Sequence, residues 1–140
     1  MAKAAVVFWS GTGNTEAMAD SVVAGAKAAG TEVDVYQAAD FSSDLVKDYD
    51  AIAFGCPSMG VEVLEESEMQ PMWDDVKPVL RGKKIALFGS YGWGDGEWMR
   101  NWSDDADQAG AIQVADYVIC NDAPDEEATA ACEKLGSFLK

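Results

Sequence analysis

At 140 residues, 49% of them apolar, the chain can bury a sizeable core and reads as one globular domain over residues 1–140. The absence of histidine argues against hydrolytic triads and zinc sites, where imidazole is the commonest participant. A formal charge of -15 argues against nucleic acid, whose phosphates need Lys and Arg, and favours partners with basic surfaces.

Apolar blocks alternate between two periods along the chain. Residues 4–9 (AAVVFW) are a continuous apolar run, as in a strand buried on both faces of a parallel sheet. After Thr15 the spacing turns helical through Met18, Val22, Ala26 and Ala29, and Gly30 is placed to close that helix in the left-handed region. Residues 33–36 alternate as a second strand, and residues 51–56 (AIAFGC) and 85–89 (IALFG) repeat the buried-strand pattern. Met72, Val76 and Leu80 predict a helix within residues 69–80 whose regularity Pro71 and Pro78 limit. A glycine-dense loop, SYGWGDG, leads into a helix carrying Trp98, Trp102 and Ala106 on one face and closed by Gly110. Residues 112–120 supply a fifth strand. The last helix starts near Pro124 and turns Ala128, Ala131, Leu135 and Phe138 inward.

This alternation predicts an α/β fold, a doubly wound five-stranded parallel sheet of order 2-1-3-4-5 with helices on both faces. In that order the chain reverses between strands 1 and 3, and ligands bind there, beyond the carboxyl ends of the strands. Three loops then meet at one rim: residues 10–15, 57–65 and 90–96. No apolar run approaches the roughly 18 residues a bilayer span needs, and the start of the chain lacks a signal-peptide core, so a cytoplasmic location is expected. Cys56, Cys120 and Cys132 form no CxxC pair and are read as reduced thiols, mostly buried.

The first loop, SGTGNT, joins a buried strand to a helix. Its glycines let the backbone approach closely, while successive amides and the helix N-terminus attract an anion. It contains no Lys or Arg. That separates it from the triphosphatase P-loop, whose lysine acts on the terminal phosphates, and Thr15 and Glu16 break the frame of a dinucleotide fingerprint. An uncharged nest of donors suits a phosphate that is held and not transferred. In the third loop Trp93 stands between two glycines, where an indole is costly to expose without a flat partner. Trp73, Trp98 and Trp102, at helical spacing, read as packing residues.

Taken in order, SGTGNTE, GCPSMGVEVLEESE, LFGSYGWGDGEWMRNW and the later NDAPDEE resemble the flavodoxins, most nearly the short-chain group without an insertion in the fifth strand. The resemblance runs through nearly the whole chain and implies a flavodoxin-like fold around one non-covalently bound FMN. It assigns Ser10, Gly11, Thr12, Gly13, Asn14 and Thr15 to the FMN phosphate, with Ser90 as a further phosphate or ribityl contact. Around the ring it places Pro57, Ser58, Met59, Gly60, Val61 and Glu62 from the second loop and Tyr91, Gly92 and Trp93 from the third. Met59 covers the inner face, Trp93 stacks on the outer face, and Glu62 accepts from the flavin N3. Trp9 and Asn121 are nearby carry-overs.

The implied function is that of a low-potential one-electron carrier cycling mainly between semiquinone and hydroquinone, and not an enzyme. In the family the peptide after Gly60 flips on reduction to accept from N5. A type II turn there wants positive φ at Val61, which costs a β-branched residue about 1 to 3 kcal/mol and is expected to weaken that stabilisation. Glu62, Glu65, Glu66, Glu68, Asp95 and Glu97 are expected to oppose the second electron by about 0.3 to 1.4 kcal/mol each at about 12 Å. The expected partners are redox proteins with basic docking surfaces, met by a monomer. The alternative is an FMN-dependent quinone or nitro reductase on the same fold, which the short third loop disfavours. A phosphoacceptor signalling domain lacks its acids at Ser10 and Cys56, and a low-molecular-weight phosphatase lacks an Arg after Cys56.

Overall fold

The computed structural model describes residues 2–60 and 62–140. In chain order it runs β1 (Lys3–Phe8), α1 (Asn14–Ala28), β2 (Glu32–Gln37), 3-10 turns at Ala38–Asp40 and Ser43–Asp48, β3 (Ala51–Gly55) and α2 (Met69–Val76). A 3-10 turn at Lys77–Val79, β4 (Lys84–Tyr91), α3 (Glu97–Gln108), β5 (Ile112–Gln113), β6 (Val118–Asn121) and α4 (Glu126–Ser137) follow. All strand pairings are parallel in the order β2-β1-β3-β4-β5, with β6 also on β4, which is the predicted winding.

The middle strands β1, β3 and β4 are buried along almost their whole length because helices cover both faces, so both sets of alternating side chains must be apolar. On one face Val6, Phe8, Ala53 and Phe88 pack with Met18, Val22, Cys132 and Leu135 of α1 and α4. On the other, Val7, Ile52, Phe54 and Leu87 pack with Met72, Trp73, Trp98 and Trp102 of α2 and α3. Two glycines set the distance between α1 and α4. A Cβ on Gly25 would lie 1.8 Å from the Glu133 carbonyl oxygen, and one on Gly136 would lie 2.0 Å from that of Val22.

Two expectations need correction. The predicted strand over residues 112–120 is split: β5 pairs with Lys84 and Ile85, β6 resumes at Phe88, and residues 114–117 face only the two β4 positions between. Extra residues bulge the edge strand, and no Gly or Pro marks the place in the alternating sequence. In α4 the inward face is Ala128, Cys132, Leu135 and Gly136, while Phe138 lies beyond the helix end and is exposed. The close approach at Gly136 rotates the helix so that Cys132, and not Ala131, meets the sheet. Elsewhere Gly30 and Gly110 close their helices at φ 89° and 86°, and Pro78 follows the end of α2 as expected. No helix among the described residues is long and apolar enough to cross a membrane.

Candidate functional site

The carboxyl ends of β1, β3, β4 and β6 open onto a cavity of about 200 Å³. The segment after β1 contributes Trp9, Gly11, Thr12 and Asn14, that after β3 contributes Pro57, Ser58 and Met59, and that of β4 contributes Ser90, Tyr91 and Gly92. A fourth segment, after β6, adds Asp122. No Lys or Arg is among these lining residues.

The first loop is shaped by Ser10, whose Oγ accepts from the amides of Gly13 at 3.1 Å and Glu16 at 3.3 Å. Gly13, at φ 95°, turns the chain into α1 and supplies no side-chain cap. The amides of Asn14 and Thr15 therefore have no acceptor among the described residues, as the first turn of a helix leaves them unless something external binds. Two hydroxyls repeat the pattern. Thr15 Oγ1, in a residue only 1% exposed, and Ser58 Oγ in the second loop are buried without a hydrogen-bond partner among the described residues. Leaving such a group unmatched costs about 1 to 3 kcal/mol. These free donors fit a group rich in acceptor oxygens, such as the phosphate and ribityl chain of FMN.

The loops are tied to one another. The Ser58 amide donates to the Ser90 carbonyl at 3.0 Å, and Ser90 Oγ donates to the Asp122 carbonyl at 2.6 Å. Asn121 turns its side-chain amide onto the Tyr91 carbonyl at 3.3 Å, so Asp122, at φ 57°, stands at the cavity wall in its place. The second loop is a narrow hairpin in which Met59 and Val63 exchange two main-chain hydrogen bonds of 2.9 Å. Gly60 and Glu62 at its tip have φ of 52° and 48°. Val61, with the turn strain expected of it, lies outside the described residues. Glu62 Oε1 accepts from the amides of Gly96 at 3.2 Å and Glu97 at 2.9 Å, which caps α3 and leaves Oε2 without a donor among the described residues. Trp93 stands on the rim with 58% of its surface exposed, flanked by Gly92 and Gly94. An exposed indole beside a cavity can lie flat on a bound ring.

Glu65 departs from its expected place among the surface charges. It is buried, and its carboxylate accepts from Ser67 Oγ and from the amides of Ser67 at 2.9 Å, Glu68 at 2.7 Å and Met69 at 3.0 Å, capping α2. Burial alone would raise its pKa; the Ser67 hydroxyl and the three amides outweigh that and hold it below the usual carboxylate value. The cysteines are unbridged. Burial pushes the Cys56 and Cys132 thiols up to about 12, so neither is a nucleophile at neutral pH. Sequence reasoning missed the roles of Asp122 and Glu65. The only signals were an Asn-Asp turn after the last strand and a Glu shortly before a Ser-Glu-Met helix start.

Comparison with known proteins bears on this geometry. Residues 6–136 match the family model described as Flavodoxin. The chain is 46% identical over 131 residues to a flavodoxin of Megasphaera elsdenii, covering 94% of this chain and 93% of that one. It is 42% identical over 134 residues to a flavodoxin of Clostridium beijerinckii, covering 96% of each. The solution structure of two-electron reduced Megasphaera elsdenii flavodoxin superposes with a TM-score of 0.89 at 45% identity over 97% of both chains. With these likenesses spanning nearly its whole length, the chain belongs to the flavodoxin family, whose members are electron-transfer proteins with FMN as cofactor and are not enzymes.

Proposed function

We propose that this chain is a low-potential carrier that holds one FMN in the 200 Å³ cavity and its rim and passes electrons singly to partners with basic surfaces. FMN supplies two one-electron reduction steps; the chain supplies position and field. The observation that carries the reading is the pair of buried, unpartnered hydroxyls of Thr15 and Ser58, beside free amides at the start of α1. Ser10, Gly11, Thr12, Gly13, Asn14 and Thr15 hold the phosphate with neutral donors, which leaves its negative charge uncompensated. Ser58 and Ser90 border the ribityl chain, Met59 lies under the ring, and Trp93 covers it. Glu62 offers Oε2 to a ring N–H while its other oxygen stays on α3. The hairpin tip at residues 60–62 borders the reactive edge.

Negative charge close to this rim opposes the arrival of a second electron. Glu66 and Glu68 are exposed beyond the hairpin, as are Asp95 and Asp122 on the neighbouring loops and Glu97 at the start of α3. Glu65 acts less freely, because its charge is spread over four hydrogen bonds. The same acidic rim suits transient electrostatic docking by a monomer. Three unbridged cysteines agree with a reducing, cytoplasmic location.

Titration of the cofactor-free protein with FMN, followed by potentiometry at low and high salt, tests the reading. One FMN should bind per chain, and the second potential should rise with salt as the carboxylates are screened. No FMN uptake would remove the reading; a salt-independent second potential would remove the electrostatic part.

A further inference from the structure

A groove of about 470 Å³ runs between α2 and α3 and shares no lining residue with the FMN cavity. Trp73, Trp98 and Trp102 line it, each at most 2% exposed. Two of these indoles are satisfied: Trp98 Nε1 donates to the Cys56 carbonyl at 3.1 Å, and Trp73 Nε1 donates to the Asp105 carboxylate at 2.8 Å. Trp102 Nε1 is buried with no hydrogen-bond partner among the described residues. A donor left unmatched on a side chain that borders open space fits an acceptor entering from that space. The rest of the lining offers acceptors and one sign of charge. Gln70 gives its amide N–H to Asp74 at 3.0 Å, which leaves its side-chain carbonyl open. Asn101 and Asp104 are exposed on α3, and among the described residues Asp104 forms no ion pair. Lys77 Nζ, at 3.1 Å, already neutralises Asp105. No Lys or Arg lines the groove, and Glu62 adds a second carboxylate at its flavin end.

We propose that the groove between α2 and α3 receives an arginine-bearing loop of a basic redox partner and so fixes where that partner sits beside the flavin; the inference rests on the partner reading above. One peptide carbonyl of the loop reaches down to Trp102 Nε1, while the arginine side chain lies along the indole walls towards Asp104. Arginine suits this lining better than lysine does. Its flat guanidinium stacks on aromatic rings, pairs with the Asp104 carboxylate, and keeps further N–H donors for the side-chain carbonyls of Asn101 and Gln70. A lysine ammonium would meet Asp104 as a point charge and leave the rings and amide carbonyls largely unused. The acidic surface as a whole draws basic proteins in without choosing a pose, whereas a pocket for one side chain selects one. Val63 and Leu64, just past the hairpin tip, line the same groove, so a partner anchored there lies alongside the reactive edge of the flavin.

Titration of the FMN-loaded protein with N-acetyl-arginine methylamide at constant ionic strength, read by NMR of the indole N–H groups, tests the groove. The Trp102 signal, identified by its loss in Trp102→Phe, should shift saturably. The lysine analogue and the uncharged citrulline analogue should each bind more weakly. Asp104→Asn, a surface change, should weaken the arginine probe about threefold, as for one exposed ion pair. Trp102→Phe, which keeps a ring in the core and deletes the N–H, should weaken it about fivefold, followed on the Asn101 side-chain amide. Glu133→Gln, an equal change of charge on α4, should leave the affinity unaltered. An unmoved Trp102 signal, equal binding of the citrulline or lysine analogue, or an affinity indifferent to Asp104→Asn and to Trp102→Phe overturns the proposal. A Trp102 signal that shifts when the protein alone is concentrated assigns the groove to a second copy and overturns it as well. FMN titration of the same samples separates the readings. Failure to bind FMN removes the carrier assignment, whereas normal FMN binding beside an unresponsive Trp102 removes the groove alone.

Discussion

Thr15 carries a hydroxyl that the protein buries and leaves unmatched, so its worth should change sign with the cofactor. Thr15→Val keeps the shape and deletes the polar group. We expect the FMN-free variant to melt no lower than the native protein, because an unsatisfied group has gone, while FMN binds about tenfold more weakly, near 1.4 kcal/mol, for one lost hydrogen bond. Thermal melts and fluorescence titration read the two effects separately, and parallel losses in both would assign Thr15 to packing. Gly94 makes a second residue-scale case. Its φ is 84°, and an added Cβ would sit 2.6 Å from the Glu62 carboxyl carbon. Gly94→Ala should therefore push Glu62 off the α3 amides and weaken FMN binding, with faster exchange of the Gly96 and Glu97 amide protons in the cofactor-free protein.

At the scale of elements, α2 depends on a carboxylate that the sequence displays as one more acid in LEESE. Because hydrogen bonds hold the folded pKa of Glu65 below its ordinary value, the stability it adds is complete above that ordinary value and is lost as pH falls through the folded one. Glu65→Gln should cost about 1 to 2 kcal/mol at pH 7, as for a lost helix cap, and the deficit should shrink as the solution is acidified below about pH 4. Denaturant melts of both proteins across that range check the sign. The elements themselves were largely legible, since buried parallel strands such as AIAFG and IALFG leave little choice of period or place. What escaped notice was local and tertiary. The bulge at residues 114–117 has no glycine or proline to announce it, the rotation of α4 depends on its closeness to α1, and the Glu65 cap depends on a loop bending back on its own helix. The candidate site was legible loop by loop, yet the exchange of Asn121 for Asp122 at the wall follows from a left-handed turn that the residue types do not demand.

For the whole molecule, a charge of -15 spread over 140 residues stores repulsion that counter-ions relieve. Raising salt should therefore lift the melting temperature of the FMN-free protein and lower its association rate with a basic reductase. Stopped-flow mixing across ionic strengths would expose a steep negative slope, and a flat one would argue for docking by apolar contact. The split edge formed by β5 and β6 bears on a different hazard. A continuous outer strand is a template on which a second sheet can grow, but here the outer rail is two residues, a gap and four more, out of line with each other. A stray strand would find too few rungs in step to hold on, so a chain made at high abundance can crowd its compartment without polymerising along that side.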